Sequence, residues 1–482
     1  MIDDVMRELE RDATPESAAL VTALASEYFE ATRRGEGPVS SGVAPNDVDA
    51  RFDEPLPEDG RPLRDVVERV RSEIMADANR LAHPMYMGHQ VSFPLSTAVW
   101  TDAVISSLNQ SIAVEEMSPT LTALEGRVVR WMCDAVGYPR ESGGTFTSGG
   151  TEATFTALLA ARAAALPDSW LNGISEPRPV VLCGEHTHYA VTRAVAELGL
   201  GMRSAIAIPS VDYRMDVAAL ERELDRVKAA GTPVMAVVAT AGHTATGSFD
   251  DVDTIGLMCD DRGLWMHIDG AHGATAVLSA RHRHRVRGIE RARSIAWDPH
   301  KMMLLPLPAG MLLVRDERDL QAAFAQRAPY LFHGDGGSAR VRDQGVRSFQ
   351  CSRRADVLKL WVVLQRHGRR GIAAVHDHMC DLAVLVRNEL GKHREFVVLH
   401  EPQSNILCFR YVGDGSVDDD RLDAINREMR ERYNRSGTGW ITSTLLGGRR
   451  VLRVTMMNPR STPAHIATLV ETLLAIGRSV SE

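Results

Sequence analysis

Apolar positions along this chain follow different periodicities in three successive regions. In the first ninety residues they recur at helical spacing after Thr14 and again after Arg61, with a connector of proline, glycine and serine between the two runs. Helices of this size bury little surface by themselves. We therefore expect residues 1–90 to form a helical segment that packs on another surface, such as that of a partner subunit.

From about residue 91 to residue 360, short apolar runs alternate with helical patterns. Continuous apolar strands that alternate with helices predict an α/β domain with a mainly parallel sheet covered on both faces. The predicted strands begin at Pro179, Pro233, Leu264, Ser294 and Gly310, and the predicted helices span 151–165, 190–198, 217–229 and 252–262.

The remaining residues, 361–482, have a mixed pattern that predicts a small α+β C-terminal domain. A helix over 355–366 leads into this region. Strand-like runs begin at Phe396, Ile406 and Val451, and a terminal helix is expected over 462–476. The sequence thus predicts three parts: 1–90, 91–360 and 361–482.

Charge and composition exclude several classes of partner. The net charge is −8 and no long basic block is present, so we expect no nucleic-acid partner. The uncharged stretch 81–101 contains prolines and histidines and is a poor membrane span, and the acidic start has no apolar signal region. The six cysteines show neither CxxC spacing nor a Cys/His zinc pattern, so we expect reduced thiols, a cytoplasmic location and no metal site.

Lysine is rare in this chain and therefore informative. Of 55 basic residues only Lys228, Lys301, Lys359 and Lys392 are lysines. Arginine cannot lose its proton and so cannot replace a lysine whose amine must react. Chance retention explains most such lysines, so the surroundings of each must decide.

Four predicted strand ends carry residues suited to a ligand, which in open α/β sheets binds beyond the carboxyl ends of the strands. The first is the run Ser148, Gly149, Gly150 and Thr151, which places bare amides and hydroxyls at the start of a helix. Such a helix start binds phosphate. The alternative is a tight turn with an N-cap threonine, which would have the same sequence.

Three further strand ends carry an acid, an amine and an imidazole. Asp269 could pair with a ring nitrogen, and Ala271 leaves room for a flat ring, although a helix cap is the alternative. Lys301 follows Asp269 by 32 residues, about one strand–helix–strand step, so both should meet at one sheet edge; a surface lysine is the alternative. His188 could lie over a ring or be an isolated histidine.

Together the four strand ends predict a phosphorylated, planar, N-heterocyclic aldehyde, and pyridoxal 5′-phosphate fits each part. Lys301 would form the Schiff base, and Asp269 would keep the pyridine nitrogen protonated. The loop from Ser148 to Thr151 would hold the phosphate, and His188 would stack on the ring.

Several motifs follow one another along the chain. They are His83-Pro-Met-Tyr-Met-Gly, the segment from Asn109 to Glu125, Ser-Gly-Gly-Thr-Glu-Ala, His188-Tyr-Ala, His267-Ile-Asp269-Gly-Ala, Asp298-Pro-His-Lys301, Gln350-Cys-Ser-Arg-Arg, Leu358-Lys-Leu-Trp, and Leu452-Arg453 with Asn458-Pro. In this order they resemble the group II pyridoxal-phosphate-dependent amino acid decarboxylases, a family that includes aromatic-L-amino-acid, glutamate and diaminobutyrate decarboxylases. The resemblance spans about residues 60 to 475. It implies fold type I, the aspartate aminotransferase-like fold, and an obligate homodimer whose N-terminal helices wrap around the partner.

The resemblance also implies roles by position. The implied catalytic residues are Lys301, His188, Asp269 and His300, of which His300 lies near the phosphate and the substrate. Thr244 matches a cofactor contact. Arg453 matches an arginine that grips the substrate α-carboxylate, while Tyr86 and His89 match residues that line the substrate pocket.

The chain departs from the family pattern at three places. Asp298 stands where the family has asparagine, and we expect it to face away from the phosphate or to be neutralised by an arginine. His272 stands where the family has a different bulky residue. The family's loop tyrosine, which protonates the substrate Cα, has no counterpart between residues 333 and 350. Ungapped counting puts its place at Gln344; Tyr330 and His333 are candidate substitutes.

The leading hypothesis is an enzyme that decarboxylates an L-amino acid. An aldehyde synthase or a carbon–carbon lyase on the same scaffold is the alternative, and a non-enzymatic scaffold is disfavoured by the presence of Lys301, Asp269 and His188. The apolar residues Met85 and Met87 favour an aromatic substrate slightly. The basic run 281–287 is predicted to be a solvated surface, with metal or anion binding as the minority interpretation. The glycine-rich run 334–340 is either a lid or a surface loop.

Overall fold

The computed structural model describes residues 2–324, 326–334, 342–415 and 417–482. None of the described helices is long and apolar enough to span a membrane. The helices are α1 (Ile2–Leu9), α2 (Pro15–Arg33), α3 (Pro45–Arg51), α4 (Leu63–Arg69), α5 (Ser96–Leu108), α6 (Pro119–Val136), α7 (Gly150–Ala165), α8 (Ser169–Asn172), α9 (Ala190–Glu197), α10 (Val217–Ala229), α11 (Val252–Arg262), α12 (Arg318–Ala323), α13 (Val357–Leu390), α14 (Asp419–Arg435) and α15 (Pro463–Ser481).

The strands form two larger sheets and one short two-stranded ribbon. They are β1 (Gly143–Thr147), β2 (Val180–Gly184), β3 (Ala205–Ile208), β4 (Ser210–Val211), β5 (Arg214–Met215), β6 (Val234–Thr240), β7 (Met266–Asp269), β8 (Ser294–Trp297), β9 (Gly310–Val314), β10 (Phe396–Val398), β11 (Ile406–Tyr411), β12 (Thr442–Leu446) and β13 (Arg449–Thr455).

The large sheet has seven strands in the order β1-β9-β8-β7-β6-β2-β3. Strands β8, β7, β6, β2 and β3 pair in parallel. Strand β9 runs antiparallel to both of its neighbours, β1 and β8, so β1 runs in the same direction as the parallel strands. The strands are almost wholly apolar because helices cover both faces of such a sheet. This mainly parallel α/β architecture confirms the predicted fold type I.

Local signals in the sequence explain why several helices begin and end where they do. Asp216 caps α10 by accepting the amides of Ala218 and Ala219. Asp251 caps α11 by accepting the amide of Thr254, and Gly263 ends that helix with a φ of 63°. An acidic N-cap satisfies amides that have no partner inside the helix, and a left-handed C-terminal position favours glycine. Both helices span the residues that the pattern predicts.

The chain divides into two compact units. One contains Gln90–Val384 and His400–Leu407, and it holds the seven-stranded sheet and its core. The other contains Met1–His89, Leu385–Leu399 and Cys408–Glu482. The second larger sheet has the order β10-β11-β13-β12, with α14 and α15 packed together in the same unit. Our division at residues 90 and 360 remains a prediction about domains.

Several details differ from the sequence-based prediction of secondary structure. The span α13 contains two helices that meet at Gly368, whose φ of 62° and ψ of 175° are not helical; the first ends close to the predicted residue 366, and the second, which runs to Leu390, was not predicted. Helix α14 and strands β3 and β12 were not predicted either. The pattern also missed α5 and α6, which precede the first strand and contribute buried faces. Alanine and threonine within these helices weaken the apolar periodicity.

Candidate active site

A cavity of about 350 Å³ lies at the carboxyl edge of the seven-stranded sheet. It is lined by all ten residues that the sequence assigns to the cofactor. These are Ser148, Gly149, Gly150, Thr151, His188, Thr244, Asp269, Ala271, His300 and Lys301. Their roles remain predictions, whereas their assembly around one cavity is a property of the fold.

The register of the parallel strands explains why these residues meet. Thr240, the last residue of β6, pairs with Asp269, the last residue of β7. Asp269 in turn pairs with Ala296 of β8, and Lys301 follows that strand by a few residues. Parallel strands in register end at the same edge, so the residues after each strand share one space.

The phosphate end of the cavity is shaped by Gly149 and Gly150, where β1 turns into α7. A Cβ atom on Gly150 would lie 2.8 Å from the Cβ of Ala271 and 3.1 Å from Asp298 Oδ2. A Cβ atom on Gly149 would lie 3.2 Å from His300 Cε1. The two glycines therefore keep open a space in front of the first turn of α7, where free amides and the helix dipole favour an anion.

Lys301 and Asp298 form the charged pair of the cavity. Lys301 Nζ lies 3.2 Å from Asp298 Oδ2, and His300 Nε2 lies 3.5 Å from the same oxygen. Asp298 is only 1% exposed, and its Oδ1 has no hydrogen-bond partner among the described residues. The expectation that Asp298 faces away or pairs with an arginine is wrong. The turn after β8 aims its carboxylate into the cavity, where a lysine balances it.

Two histidines of the cavity are held as neutral rings. Burial lowers the pKa of His188, and its Nδ1 accepts the amide of Ala190 at 3.2 Å. Burial also lowers the pKa of His300, and its Nδ1 accepts the amide of Ala309 at 3.1 Å. An amide donor at Nδ1 leaves the remaining ring proton on Nε2. Each ring is therefore a neutral donor with a fixed tautomer.

The loop that carries Thr244 is anchored by a buried ion pair that the sequence did not reveal. Asp250 accepts the amides of Met215 and Thr240, each at 2.7 Å, and His243 Nε2 lies 3.0 Å from it. Burial opposes charge on both groups, but each lies beside the other, so the pKa of His243 is raised and that of Asp250 is lowered. The pair fixes the segment that enters the cavity after β6.

Lys359 supports the segment that follows Lys301. Its side chain is fully buried, and its Nζ donates to the carbonyl of Pro308 at 2.7 Å and to that of Pro306 at 3.3 Å. Asp356 Oδ1 lies 2.9 Å from the same Nζ and balances its charge. A second of the four lysines thus has a defined structural task. Its position in the motif Leu358-Lys-Leu-Trp was the signal that could have revealed it.

Two further residues from the sequence motifs, Arg353 and Glu125, form a buried ion pair with a structural role. Arg353 donates to Glu125 through two hydrogen bonds of 2.9 and 2.7 Å, and the two side chains are 5% and 1% exposed. Glu125 also accepts the amide of Phe146 in β1 at 3.3 Å. This buried pair holds the strand that leads into the Ser148 loop.

Tyr86, His89 and Arg453 belong to the other compact unit. Tyr86 is buried and stacks on Trp440 with a centroid distance of 6.3 Å, and burial raises the pKa of Tyr86 to about 12. His89 is exposed. Arg453 lies on β13, opposite Thr442, whose hydroxyl reaches the carbonyl of Gly88 at 3.5 Å. The segment 86–89 therefore lies beside the strand of Arg453.

The residue at the expected place of the family's loop tyrosine and its two candidate substitutes differ in exposure. Gln344 is buried, Tyr330 is 87% exposed, and the exposed His333 pairs with Glu116 at 3.2 Å. The glycine-rich run predicted as a lid or a surface loop falls largely on residues 335–341, which lie outside the described residues. None of the three candidates lines the cavity as described.

The residues present fit pyridoxal 5′-phosphate. The space beside Gly149 and Gly150, which carry no side chains, suits a phosphate. The unpaired Oδ1 of Asp298 and the amine of Lys301 suit polar groups of the cofactor. A carboxylate at Asp269 and a neutral imidazole at His188 suit a protonated aromatic ring. No residue of the cavity blocks this assignment.

Comparison with known proteins gives consistent results. Residues 45–412 match the family model described as the pyridoxal-dependent decarboxylase conserved domain. The chain is 34% identical to L-2,4-diaminobutyrate decarboxylase of Rhizobium meliloti (strain 1021), over 89% of this chain and 84% of that protein. It is 30% identical to cysteine sulfinic acid decarboxylase of Rattus norvegicus, over 98% and 99% of the two chains.

A solved structure agrees with these sequence relatives. It is the glutamate decarboxylase domain of diaminobutyrate-pyruvate transaminase and L-2,4-diaminobutyrate decarboxylase from Vibrio parahaemolyticus. The TM-score is 0.83 at 26% identity, and the match covers 96% of each chain.

Proposed function

The chain belongs to the family of pyridoxal-dependent decarboxylases, and we propose that it converts an L-amino acid to the corresponding amine and carbon dioxide at the cavity around Lys301. Like the other members of this family, it is a carboxy-lyase that depends on pyridoxal phosphate. The observation that carries the proposal is the assembly of an amine, two carboxylates, two neutral imidazoles and a glycine cradle around one cavity.

When bound, pyridoxal phosphate supplies an electron sink that stabilises the negative charge left on Cα as carbon dioxide departs. The chain provides the surroundings. The Gly149–Thr151 amides and the helix dipole of α7 would hold the phosphate, and the carboxylate of Asp269 would keep a proton on the pyridine nitrogen. The neutral ring of His188 would pack against the cofactor and help to exclude water.

Lys301 is the proposed nucleophile and proton carrier. Its amine would bond the aldehyde carbon of the cofactor, and when free it could carry a proton at Nζ. Asp298 Oδ2, 3.2 Å away, lies against Nζ, and the neutral ring of His300 can donate from Nε2 at the same end of the cavity. These residues therefore arrange both the amine exchange and the proton supply.

Arg453 is the proposed partner of the substrate α-carboxylate. Arg453 is 8% exposed, and the described residues place no carboxylate against its guanidinium; Nη2 donates to Thr455 Oγ1 at 3.1 Å. A buried cation without a counter-ion is costly and gains strongly from an anion. We propose Tyr86 and His89 as neighbouring substrate-binding residues.

A homodimer is also proposed, on the evidence of α1. This helix has no buried residue, and its apolar residues Ile2 and Leu9 are 79% and 69% exposed. Such a surface gains free energy when covered. Light scattering of the purified chain should give twice the chain mass, and a monomer would refute this part. The cytoplasmic location stays a prediction based on cysteine usage.

The substrate side chain has two candidate classes. The sequence favours an aromatic side chain because of Met85 and Met87, but Met87 is 0% exposed and offers no free surface within this chain. The relatives named above act, by their names, on L-2,4-diaminobutyrate and cysteine sulfinate. Small polar amino acids therefore stand beside the aromatic ones as candidates.

Mass spectrometry of products tests the proposal. Purified protein with added pyridoxal phosphate is incubated with a panel of aromatic, acidic and diamino acids. We expect one amine that differs from its parent by the loss of carbon dioxide. Lys301→Arg should abolish it, whereas the exposed control Lys392→Arg should not. An aldehyde would instead support redirection by the missing loop tyrosine, and turnover that survives in Lys301→Arg would refute the role of Lys301.

A further inference from the structure

Two histidines and a cysteine that do not line the cavity meet at one site. His282 follows the 3₁₀ turn Ala274–Leu278, and His376 and Cys380 lie one turn apart on α13. One ligand atom from each residue lies within 4.8 Å of the others. The rings of His282 and His376 have centroids 5.3 Å apart and are inclined by 65°. All three residues belong to the unit that holds the large sheet.

Ordinary hydrogen bonding does not explain this cluster. Both ring nitrogens of His282 are buried and have no hydrogen-bond partner among the described residues. Buried polar atoms without partners are rare in folded proteins and call for a further interaction. His376 has one long contact, 3.4 Å from Nδ1 to Asp377 Oδ1, and that oxygen already accepts the hydroxyl of Ser279. Cys380 is 4% exposed.

We propose that His282, His376 and Cys380 bind a zinc ion. Two imidazole nitrogens and a sulfur are the donor set that zinc prefers, whereas magnesium and calcium prefer oxygen. Asp377 adds negative charge beside the site: its Oδ1 lies 3.8 Å from His282 Nε2 and 3.4 Å from His376 Nδ1. The alternative of metal binding, weighed for the basic run 281–287, thus falls on His282.

The geometry is compatible with a small adjustment. Zinc–nitrogen and zinc–sulfur bonds of about 2.0 to 2.3 Å at tetrahedral angles put ligand atoms roughly 3.3 to 3.6 Å apart. The present separations of up to 4.8 Å therefore need to close by up to about 1.2 to 1.5 Å. Rotation of the His282 ring, whose side chain is 16% exposed, can supply much of this movement.

Binding of the ion displaces a proton at the cysteine. The thiolate is the form of cysteine that binds zinc, so the Cys380 proton leaves to solvent as the zinc–sulfur bond forms. The surrounding charges are those of Asp377, Arg285 and the ion pair between Arg281 and Asp381.

The bound ion would join two distant parts of the same unit. Segment 270–282 continues directly from Asp269, the last residue of β7, and zinc would fasten its end to α13. A ligand that binds only the folded chain stabilises that chain by mass action. The proposed site is therefore structural: it would stabilise the fold and take no part in the reaction.

Metal analysis of the holoenzyme tests the site. The protein is loaded with zinc sulfate, passed over a weak chelating resin, and its zinc is measured per chain by plasma mass spectrometry. Wild-type protein should keep about one zinc per chain. His282→Asn, at a partly exposed position, should fold and lose at least about 100-fold in zinc affinity. Cys380→Ser should lose zinc likewise.

Matched controls separate this site from adventitious binding. His284→Asn removes an exposed histidine of the same basic run, and Cys259→Ser removes another buried thiol; both should keep the zinc. Added zinc should raise the melting temperature of wild type and His284→Asn but not of His282→Asn. Cobalt in the same protein should show thiolate charge-transfer absorption that Cys380→Ser lacks.

Two results would overturn the proposal. One is wild-type protein that keeps no stoichiometric zinc after the resin. The other is His282→Asn that folds with wild-type melting behaviour and binds zinc as tightly as wild type.

Discussion

Glu125 and Arg353 provide the sharpest stability prediction. Replacing Glu125 by glutamine keeps its shape but removes the charge that balances a guanidinium only 5% exposed. The two hydrogen bonds of 2.9 and 2.7 Å lose their charge assistance, and one amide group now faces the guanidinium as a donor. Breaking a buried ion pair from one side costs about 3 to 5 kcal/mol.

The expected shift in melting temperature follows from the size of the unit. Unfolding entropy is about 2.1 cal/mol/K per residue, so a unit of roughly 300 residues has about 0.6 kcal/mol/K. A loss of about 3 to 5 kcal/mol then lowers the melting temperature by about 5 to 8 °C. Differential scanning calorimetry at several scan rates measures this shift and reveals any irreversibility.

Two further variants make the measurement decisive. Glu428→Gln removes one partner of an exposed pair with Arg432, whose contribution should be about 0.3 to 0.5 kcal/mol. This pair lies in the other unit, which has roughly 180 residues, so the melting temperature should change by less than about 1.5 °C. The double variant Glu125→Gln with Arg353→Met should melt above the single variant because it leaves no unpaired buried charge. A Glu125→Gln shift no larger than that of Glu428→Gln would refute the reasoning.

Two other predictions concern the cavity and the loop that enters it after β6. Gly150→Ala places a methyl group 2.8 Å from the Cβ of Ala271, so it should weaken pyridoxal phosphate binding at least about tenfold in a fluorescence titration. The control Gly126→Ala, whose methyl group meets no atom within 4 Å, should leave the affinity unchanged, and equal affinities of the two variants would contradict the phosphate-binding role of the glycines. His243 has a pKa raised by Asp250, so its stabilising contribution is complete below pH about 6.5 and is lost as pH rises through the raised pKa. Melting curves of wild type and His243→Asn should therefore converge toward alkaline pH, and a constant difference would contradict this.

The sequence predicted the residues whose positions follow from local rules. The bounds of α10 and α11 came from acidic caps and an apolar period that act within a few residues. Eight of the ten cavity residues could be grouped because they lie at or after the ends of predicted strands, and parallel strands end at one edge; Thr244 and His300 came from the family resemblance. The direction of β9 could not be predicted, because an apolar strand reads alike in parallel and antiparallel neighbours.

The features that the sequence missed depend on contacts between distant residues. Glu125 and Arg353 are 228 residues apart, and no periodic pattern links them. No periodic pattern links Lys359 to the carbonyl of Pro308, or His282 to the residues of α13 that it meets. The expected orientation of Asp298 was wrong because it considered only the repulsion between its carboxylate and a phosphate. The turn after β8 brings the nearest cation, Lys301 Nζ, to 3.2 Å from Asp298 Oδ2.

The central claim is that Lys301 bonds the cofactor in this cavity, and chemical trapping tests it most directly. Borohydride reduction of the protein loaded with pyridoxal phosphate, followed by peptide mapping, fixes the cofactor to whichever lysine holds it. With only four lysines in the chain, each outcome is unambiguous. We predict one pyridoxyl phosphate group on Lys301 and none in Lys301→Arg. A label on Lys228, Lys359 or Lys392 instead, or no label at all, would contradict the account.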